Sequence, residues 1–388
     1  MDKYIPLHLI TEILSKLPVK SLLKFRCVSK SWLSVIWSPQ FIKAHLKDHA
    51  SEDNQRLLIL GNFGSFKHCS LKSLMYGEPS PRLITVDIPI PLPDERSGRG
   101  ASSFTEHISW YGPVRIVGCC DGLICISVTR ASQSDFILWN PSIRKYKKLP
   151  NLGLPSTSPS NRVWGFGYDS FSDDYKAVIL VKQCSINGEG LRVETRVYSR
   201  KSEAWRRIAD FPSTPRYTSP SSGVLVNGKL HFLAHEKVRG RIIVSLDLTT
   251  ETYGEMEEPN HYESDVCVTL SEIEGILLYF INPFPGPFGR GGDLWVMKEY
   301  GGSWTKVLTF PHEPSGPFCP KLLSVSAEGE LLMRECVGIE LYSSREGKSF
   351  RLLKEIYNVF DAYCFTESLV LPSTHDSNCN DNMKPTKF

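Results

Sequence analysis

A unit of strand, polar turn and strand recurs five times along the chain, and this repeat constrains the fold more than any other feature. Each copy carries one large aromatic residue in its second strand, and these aromatics stand 46 to 59 residues apart: Tyr146, Trp205, Tyr253, Trp304 and Phe350. Another alternating apolar hairpin precedes each copy, as "GVLVNGKLHFLA" precedes "IVSLDLTTETYGEM". Four strands per unit of about 50 residues are typical of a β-propeller blade.

The two ends of the β region supply the strands of one more unit. "RLLILGN", "KHCSLKSLM" and "RLITVDIPI" lie between residues 56 and 90, and "FTESLVLP" occupies residues 365–372. Pairing the last strand with the first would close the ring and leave no exposed strand edge. The sequence therefore predicts a mainly β fold, a β-propeller-like domain with six blades, and five blades are the alternative.

The N-terminal piece has a helical period instead. Apolar residues recur at helical spacing at Leu9, Ile10, Ile13, Leu14 and Leu17. Pro18 ends that helix and can start the next, and Pro39 is a further stop, which predicts about three short helices. The polar segment "KDHASEDNQR" follows. We therefore divide the chain into a helical module (1–46), a linker (47–56), a propeller-like domain (57–372) and a tail expected to be disordered (373–388).

The connections between the predicted strands fall into two sets, which antiparallel order places on opposite faces of a propeller. Turns such as "SFSDD" and "NG" are tight, whereas "NPFPGPFGRGGD" and "PHEPSGPFCP" are long and rich in proline, glycine and aromatics. Long loops on a rigid scaffold usually carry recognition, and aromatics and arginine dominate binding energy. The candidate substrate-binding residues are Trp110, Tyr111, Arg216, Tyr217, Phe284, Phe288, Arg290, His312 and Phe318. Packing of the same side chains onto the propeller is the alternative.

No combination of residues indicates catalysis, a metal site or a cofactor. The motifs G-x-S-x-G, GxxxxGK[ST] and H-E-x-x-H do not occur. His231 and His235 share one face of a predicted strand, but no cysteine or carboxylate is placed to complete a metal site. We therefore expect a non-catalytic protein.

Composition narrows the partners and the compartment. A net charge of +3 is too weak and too dispersed to indicate nucleic-acid binding. No apolar run approaches the roughly 20 residues that a membrane helix needs. The eleven cysteines are scattered, with no C-x-x-C pair. We expect a reducing compartment, the cytoplasm and/or the nucleus, and no membrane insertion.

The helical module resembles an F-box. The matching stretch is "IPLHLITEILSKLPVKSLLKFRCVSKSWLSVI", with a second Leu-Pro and a Phe-Arg-x-Val-x-Lys-x-Trp pattern. The rest resembles the F-box-associated interaction domain of plant F-box proteins, on "CDGLICI", "LWNPSIRKYKKLP", "GFGYDSFSDDYKAV", "DLWVMKEYGGSWTKV" and "ESLVLP". Two departures are mild: Ile5 replaces the first leucine, and His8 stands where the family often has an acid.

The resemblance implies a substrate-recognition subunit of an SCF-type (Skp–cullin–F-box) ubiquitin ligase. The F-box would dock on a Skp-type adaptor, which joins a cullin–RING scaffold, and the propeller loops would hold an unknown target protein. Carried over by position, the adaptor-binding residues would be Pro6, Leu9, Ile10, Ile13, Leu14, Leu17, Pro18, Leu22, Phe25, Val28 and Trp32, some of which must form the module's own core. Within the same family, a propeller that binds a small ligand or glycan is the alternative.

Overall fold

The computed structural model is a six-bladed β-propeller with a helical module on one of its faces. The structure describes residues 5–49, 52–61, 64–76, 82–86, 114–130, 133–153, 162–184, 191–215, 222–236, 240–259, 266–283, 292–310, 320–335, 338–343, 348–351 and 359–374. The predicted mainly β architecture with six blades is confirmed, and the alternative of five blades is wrong.

Each blade is an antiparallel sheet whose strands follow one another outward from the centre. Blade 1 combines both ends of the domain in the order β25–β1–β2–β3, with β1 (Gln55–Leu60), β2 (Phe66–Ser70), β3 (Ile84–Val86) and β25 (Asp361–Thr366). Blade 2 holds β4 (Val114–Cys120), β5 (Leu123–Arg130), β6 (Gln133–Asn140) and β7 (Lys145–Lys148). Blade 3 holds β8 (Arg162–Asp169), β9 (Asp174–Cys184), β10 (Leu191–Ser199) and β11 (Ala204–Arg207).

The remaining blades repeat this order. Blade 4 holds β13 (Val224–Val226), β14 (Lys229–Glu236), β15 (Gly240–Asp247) and β16 (Tyr253–Met256), and β12 (Thr214–Pro215) also pairs with β14. Blade 5 holds β17 (Val266–Ile273), β18 (Ile276–Pro283), β19 (Asp293–Met297) and β20 (Thr305–Thr309). Blade 6 holds β21 (Lys321–Val325), β22 (Leu331–Glu335), β23 (Gly338–Ser343) and β24 (Lys348–Arg351). The innermost strands contact one another around the ring, β25 touching both β4 and β21, and they enclose a central channel.

Apolar side chains fill the six interfaces between neighbouring blades. Successive residues of one strand enter the interfaces on opposite sides of the blade, so a strand such as β8 is buried along almost its whole length. The repeated aromatic has a structural role here. The Trp205 ring packs against Phe136 of the preceding blade, with ring centroids 5.4 Å apart. Its Nε1 donates to the carbonyl oxygen of Pro150 (2.9 Å). In the same way, Trp304 Nε1 donates to the backbone carbonyl oxygen of Glu257 (3.0 Å). The repeat therefore joins blades, and Tyr146, which is exposed, is an exception.

The helical module contains four helices, one more than predicted: α1 (Leu7–Ser15), α2 (Val19–Phe25), α3 (Lys30–Ile36) and α4 (Pro39–Asp48). Pro39 does not stop a helix but starts α4, because a proline at the first helical position has no N–H to leave unpaired. The Ser38 hydroxyl caps this helix by accepting from the Phe41 N–H at 3.3 Å. Since α4 runs to Asp48 and β1 begins at Gln55, the connection between module and propeller is short.

Two segments predicted to be strands of blade 1 are only partly strands in the structure. The second half of "KHCSLKSLM" is helix α5 (Leu71–Tyr76), whose Leu71, Leu74 and Met75 face the core at helical spacing. The closing strand β25 ends at Thr366, so most of "FTESLVLP" is not a strand. Its apolar residues have another role: Val370 packs between blades 2 and 3, while Leu369 packs into the helical module.

The helical module packs directly on the propeller. Its core of Leu14, Leu22 and Phe41 continues into Ile143 of the β6–β7 turn and into Leu369. Asn140 Nδ2 fixes the segment that carries Leu369, donating to the carbonyl oxygens of Ser368 (3.0 Å) and Val370 (2.9 Å).

Polar contacts join the same two parts. Lys43 of α4 pairs with Asp173 of the β8–β9 turn at 2.8 Å, and Lys145 Nζ lies 5.5 Å from the centre of the Trp37 ring. The propeller side of this contact consists of hairpin turns and the C-terminal segment. The module therefore covers the tight-turn face, and the strand ends that flank the long connections lie at the opposite face, which we call the loop face.

Candidate interaction surfaces

The exposed surface of the helical module is unusually apolar for a solvent-facing surface. Of the twelve large hydrophobic residues that are exposed among the described residues, six fall between positions 5 and 28: Ile5, Leu7, Leu9, Ile13, Phe25 and Val28. Exposure reaches 56% for Ile13 and 59% for Val28. Such a concentration of exposed apolar side chains is typical of a protein-binding surface.

The structure divides the eleven predicted adaptor-binding residues into surface and core. Pro6, Leu9, Ile13, Pro18, Phe25 and Val28 are exposed, and Ile10, Leu17 and Trp32 are partly buried. Leu14 and Leu22 have 0% exposure and form the centre of the module's core. Leu22 therefore offers no surface for contact in this structure, and adaptor binding by the exposed set stays a prediction.

The nine predicted substrate-binding residues all lie outside the described residues: Trp110, Tyr111, Arg216, Tyr217, Phe284, Phe288, Arg290, His312 and Phe318. The strands that flank these positions end or begin at the loop face. Their role in binding stays a prediction.

A buried polar group that the sequence did not reveal lies at the loop-face end of the channel. Lys321 Nζ, at the start of β21, contacts Asp361 Oδ1 of β25 at 3.2 Å and lies 3.0 Å from the centre of the Tyr363 ring. The Tyr363 hydroxyl is 2.7 Å from the Ser222 hydroxyl, which comes from the opposite side of the ring. Both groups are held away from water, and this burial lowers the pKa of Lys321 and raises the pKa of Tyr363.

Blade 6 places two further ionisable residues beside this group. Arg334 is 4% exposed, and its Nε and Nη2 have no hydrogen-bond partner among the described residues. Glu335 is 2% exposed, and burial, together with the nearby Glu340, raises its pKa to about 8. Neighbouring positions on one strand point to opposite faces of the sheet, so the two side chains enter different interfaces between blades.

A cavity of about 540 Å³ lies at the tight-turn end of the same channel. It is lined by the turn residues Asp121 and Glu274 and by Glu272, with Cys119, Cys120 and Cys364 deeper in the wall. Burial raises the pKa of Asp121 and Glu272. Burial also raises the pKa of the Cys364 thiol to about 12, so this cysteine is a weak nucleophile at neutral pH.

Among the described residues, one buried histidine and one disulfide-bonded cysteine have structural roles. His231 is buried between the Val224 carbonyl oxygen (3.1 Å) and the Tyr300 hydroxyl (2.8 Å), and burial lowers its pKa to about 4. No cluster of His, Cys, Asp and Glu in the part of the chain that the structure describes is arranged to hold a metal ion. Cys267, at the start of β17, is disulfide-bonded, which the cysteine pattern did not indicate.

The described helices include none of the length and apolar character that a bilayer crossing requires.

Comparison with known proteins matches both parts of the chain. Residues 4–44 match the F-box domain family, and residues 101–351 match the F-box associated beta propeller domain family. An F-box/kelch-repeat protein of Arabidopsis thaliana is 29% identical over 95% of this chain and 96% of its own length. The F-box protein CPR1 of the same plant is 29% identical over 79% of this chain and 72% of its own length. A fucose-specific lectin from Aleuria aurantia superposes with a TM-score of 0.47 at 14% identity, over 78% of this chain and 92% of the lectin.

Proposed function

Because the chain belongs to the F-box proteins with an F-box associated beta propeller domain, we propose that it is the substrate-recognition subunit of an SCF-type ubiquitin ligase. The observation that carries this proposal is the apolar surface of residues 5–28, displayed on a module that is packed on the propeller. In this proposal the surface binds a Skp-type adaptor, and the adaptor joins the chain to a cullin–RING scaffold.

The arrangement of the two faces supports a tethering role. The helical module covers the tight-turn face, and the long connections leave the strands at the loop face, so adaptor and substrate would bind at opposite ends of the channel. The propeller would act as a rigid spacer that raises the effective concentration of a target lysine near the ubiquitin-loaded enzyme. Because positioning alone is sufficient for this task, we propose that the chain contributes no catalytic group. We also propose that it acts in the cytoplasm and/or the nucleus.

An adaptor pull-down with surface variants tests the proposal. We expect Leu9→Asp combined with Ile13→Asp to reduce adaptor binding by at least about tenfold, because two exposed apolar contacts become charged. The matched control is Phe171→Asp, which places the same charge at an exposed apolar residue of the propeller (86% exposed) and should bind like the wild type.

The thermal midpoint of each variant shows whether the fold survives. Because all three positions are exposed, we expect midpoints close to the wild-type value. Full adaptor binding by the double variant would contradict the assignment of this surface, and failure of the wild-type chain to bind any Skp-type adaptor would contradict the proposed function.

A further inference from the structure

A cation to which the described residues offer no counter-ion lies in the interface between blades 6 and 1. The Arg334 side chain is 4% exposed and has no ion pair among the described residues. Its Nε and Nη2 also have no hydrogen-bond partner in that part of the chain. An uncompensated buried charge is strongly destabilising, and an unsatisfied buried polar group calls for an explanation, of which a bound ion or ligand is one.

The described acids near Arg334 do not neutralise it. Lys321 is paired directly opposite Arg334 across the two strands, so both cations project from the same face of blade 6. Asp361 is the acid in contact here, and Lys321 Nζ already engages it at 3.2 Å. Glu335 keeps its proton at neutral pH, because burial raises its pKa to about 8.

The position of Arg334 in its strand places it toward the loop face. Arg334 stands at the end of β22, and both Lys321 and Asp361 stand at the start of their strands, which places all three at the loop-face end of the channel. The guanidinium presents its donors in a planar fork that matches the two oxygens of a carboxylate or phosphate.

We propose that Arg334 and Lys321 form a binding site for an oxyanion, a carboxylate or a phosphate group, at the loop-face end of the channel. The bound anion supplies the negative charge that the described residues do not provide, and Asp361 holds Lys321 in place beside it. The site would suit an acidic or phosphorylated side chain of a bound substrate. Its existence does not depend on the proposed ligase function.

Thermal unfolding of the full chain at pH 7 tests the site. Sodium phosphate and sodium acetate are the two probes, and each is compared with sodium chloride at the same ionic strength. We expect the oxyanion to raise the thermal midpoint of the wild type by about 2 °C or more in a saturable manner, because a ligand that binds only the folded state stabilises it. A response to phosphate alone or to acetate alone identifies the chemistry of the site.

The Arg334→Met variant separates a binding role from a structural one. It should unfold at the same or a higher temperature than the wild type in chloride, because the uncompensated charge is gone, and it should lose the oxyanion response. The matched control is Arg241→Met. Arg241 is similarly buried (8% exposed), but its Nε pairs with Glu258 at 3.0 Å. This control should unfold at a lower temperature and keep the oxyanion response.

Three results would overturn the proposal: no response of the wild type to either oxyanion, an oxyanion response retained by Arg334→Met, or a lower midpoint of Arg334→Met in chloride. The adaptor pull-down is an independent readout. Arg334→Met should bind the adaptor normally, so a failure of the ligase function and a failure of the oxyanion site are distinguishable.

Discussion

At the scale of single residues, the described part of the propeller keeps several ionisable groups out of water, and their protonation is coupled to stability. Glu335 is the clearest case because it is 2% exposed and its Oε2 has no hydrogen-bond partner among the described residues. Burial and Glu340 raise its pKa from 4.5 to about 8, although Arg334 acts in the opposite direction. The carboxyl is therefore protonated in the folded chain at a pH where it is ionised in the unfolded chain.

The sign of the pH dependence follows from this difference. The contribution of Glu335 to stability is fully present below pH 4.5 and is lost as the pH rises to about 8. The loss is at most about 1.4 kcal/mol per pH unit, the value for one proton. We expect Glu335→Gln, which cannot ionise, to flatten the dependence of the unfolding free energy on pH in this window and to be the more stable form at pH 8.

Urea titrations at pH 5, 6, 7 and 8 would measure this effect. Glu328→Gln is the control because Glu328 lies in an exposed turn of the same blade, and its pH profile should match the wild type. Parallel profiles for Glu335→Gln and the wild type would show that Glu335 is ionised in the folded chain.

At the scale of elements, tight turns carry a conformational requirement that the sequence indicates well. Two-residue turns at Asp121–Gly122 and Asn227–Gly228 have positive φ at both positions, as hairpin turns of this type require. Their environments differ. A Cβ at Gly122 would lie 2.6 Å from the Thr366 carbonyl oxygen, whereas a Cβ at Gly228 would meet no atom within 4 Å.

This pair of turns separates backbone strain from steric contact. We expect Gly228→Ala to destabilise the fold by about 1 kcal/mol, the ordinary cost of an alanine at positive φ. Gly122→Ala should cost clearly more, because the Thr366 backbone and Ser368 must also move. Chemical denaturation of the two variants gives the comparison, and equal losses would show that the Gly122 contact is relieved without cost.

The sequence predicted elements with a strong period and missed those whose neighbours come from another part of the chain. The repeat identified the blades because polar turns separate apolar strands at a regular spacing. "FTESLVLP" is apolar like the predicted strands, but its Val370 packs into the propeller and its Leu369 packs into the helical module. Pro39 illustrates a local ambiguity, since proline both ends one helix and starts another.

The sequence also did not predict the polar group around Arg334. Lys321, Arg334 and Asp361 are each unremarkable in their own segments, and strand pairing and ring closure bring them together. The exposed apolar surface of residues 5–28, in contrast, follows from helical period and from the resemblance to the F-box. The division between surface and core needed the structure, because Leu22 has the same spacing as its exposed neighbours.

At the scale of the whole molecule, the helical module and the propeller share one apolar core. Leu14 and Leu22 of the module pack with Ile143 and Leu369 of the propeller. The Arg200 guanidinium donates to the Leu371 carbonyl oxygen at 2.8 Å, which ties the C-terminal segment to blade 3. If this shared core fixes the distance between the adaptor and the loop face, then its loss should uncouple the two parts without unfolding the propeller.

We therefore expect Ile143→Asp to release the module, because a buried carboxylate would replace an apolar contact at the interface. Limited proteolysis should then cut faster in the connection between Asp48 and Gln55, while the propeller fragment remains resistant. The control is Tyr146→Asp, an exposed position three residues away whose proteolysis pattern should be unchanged. A module that stays protected in Ile143→Asp would show that the connection and the polar contacts of Lys43 and Lys145 hold it in place. In that case the rigidity of the molecule would come from its charged contacts and not from the shared core.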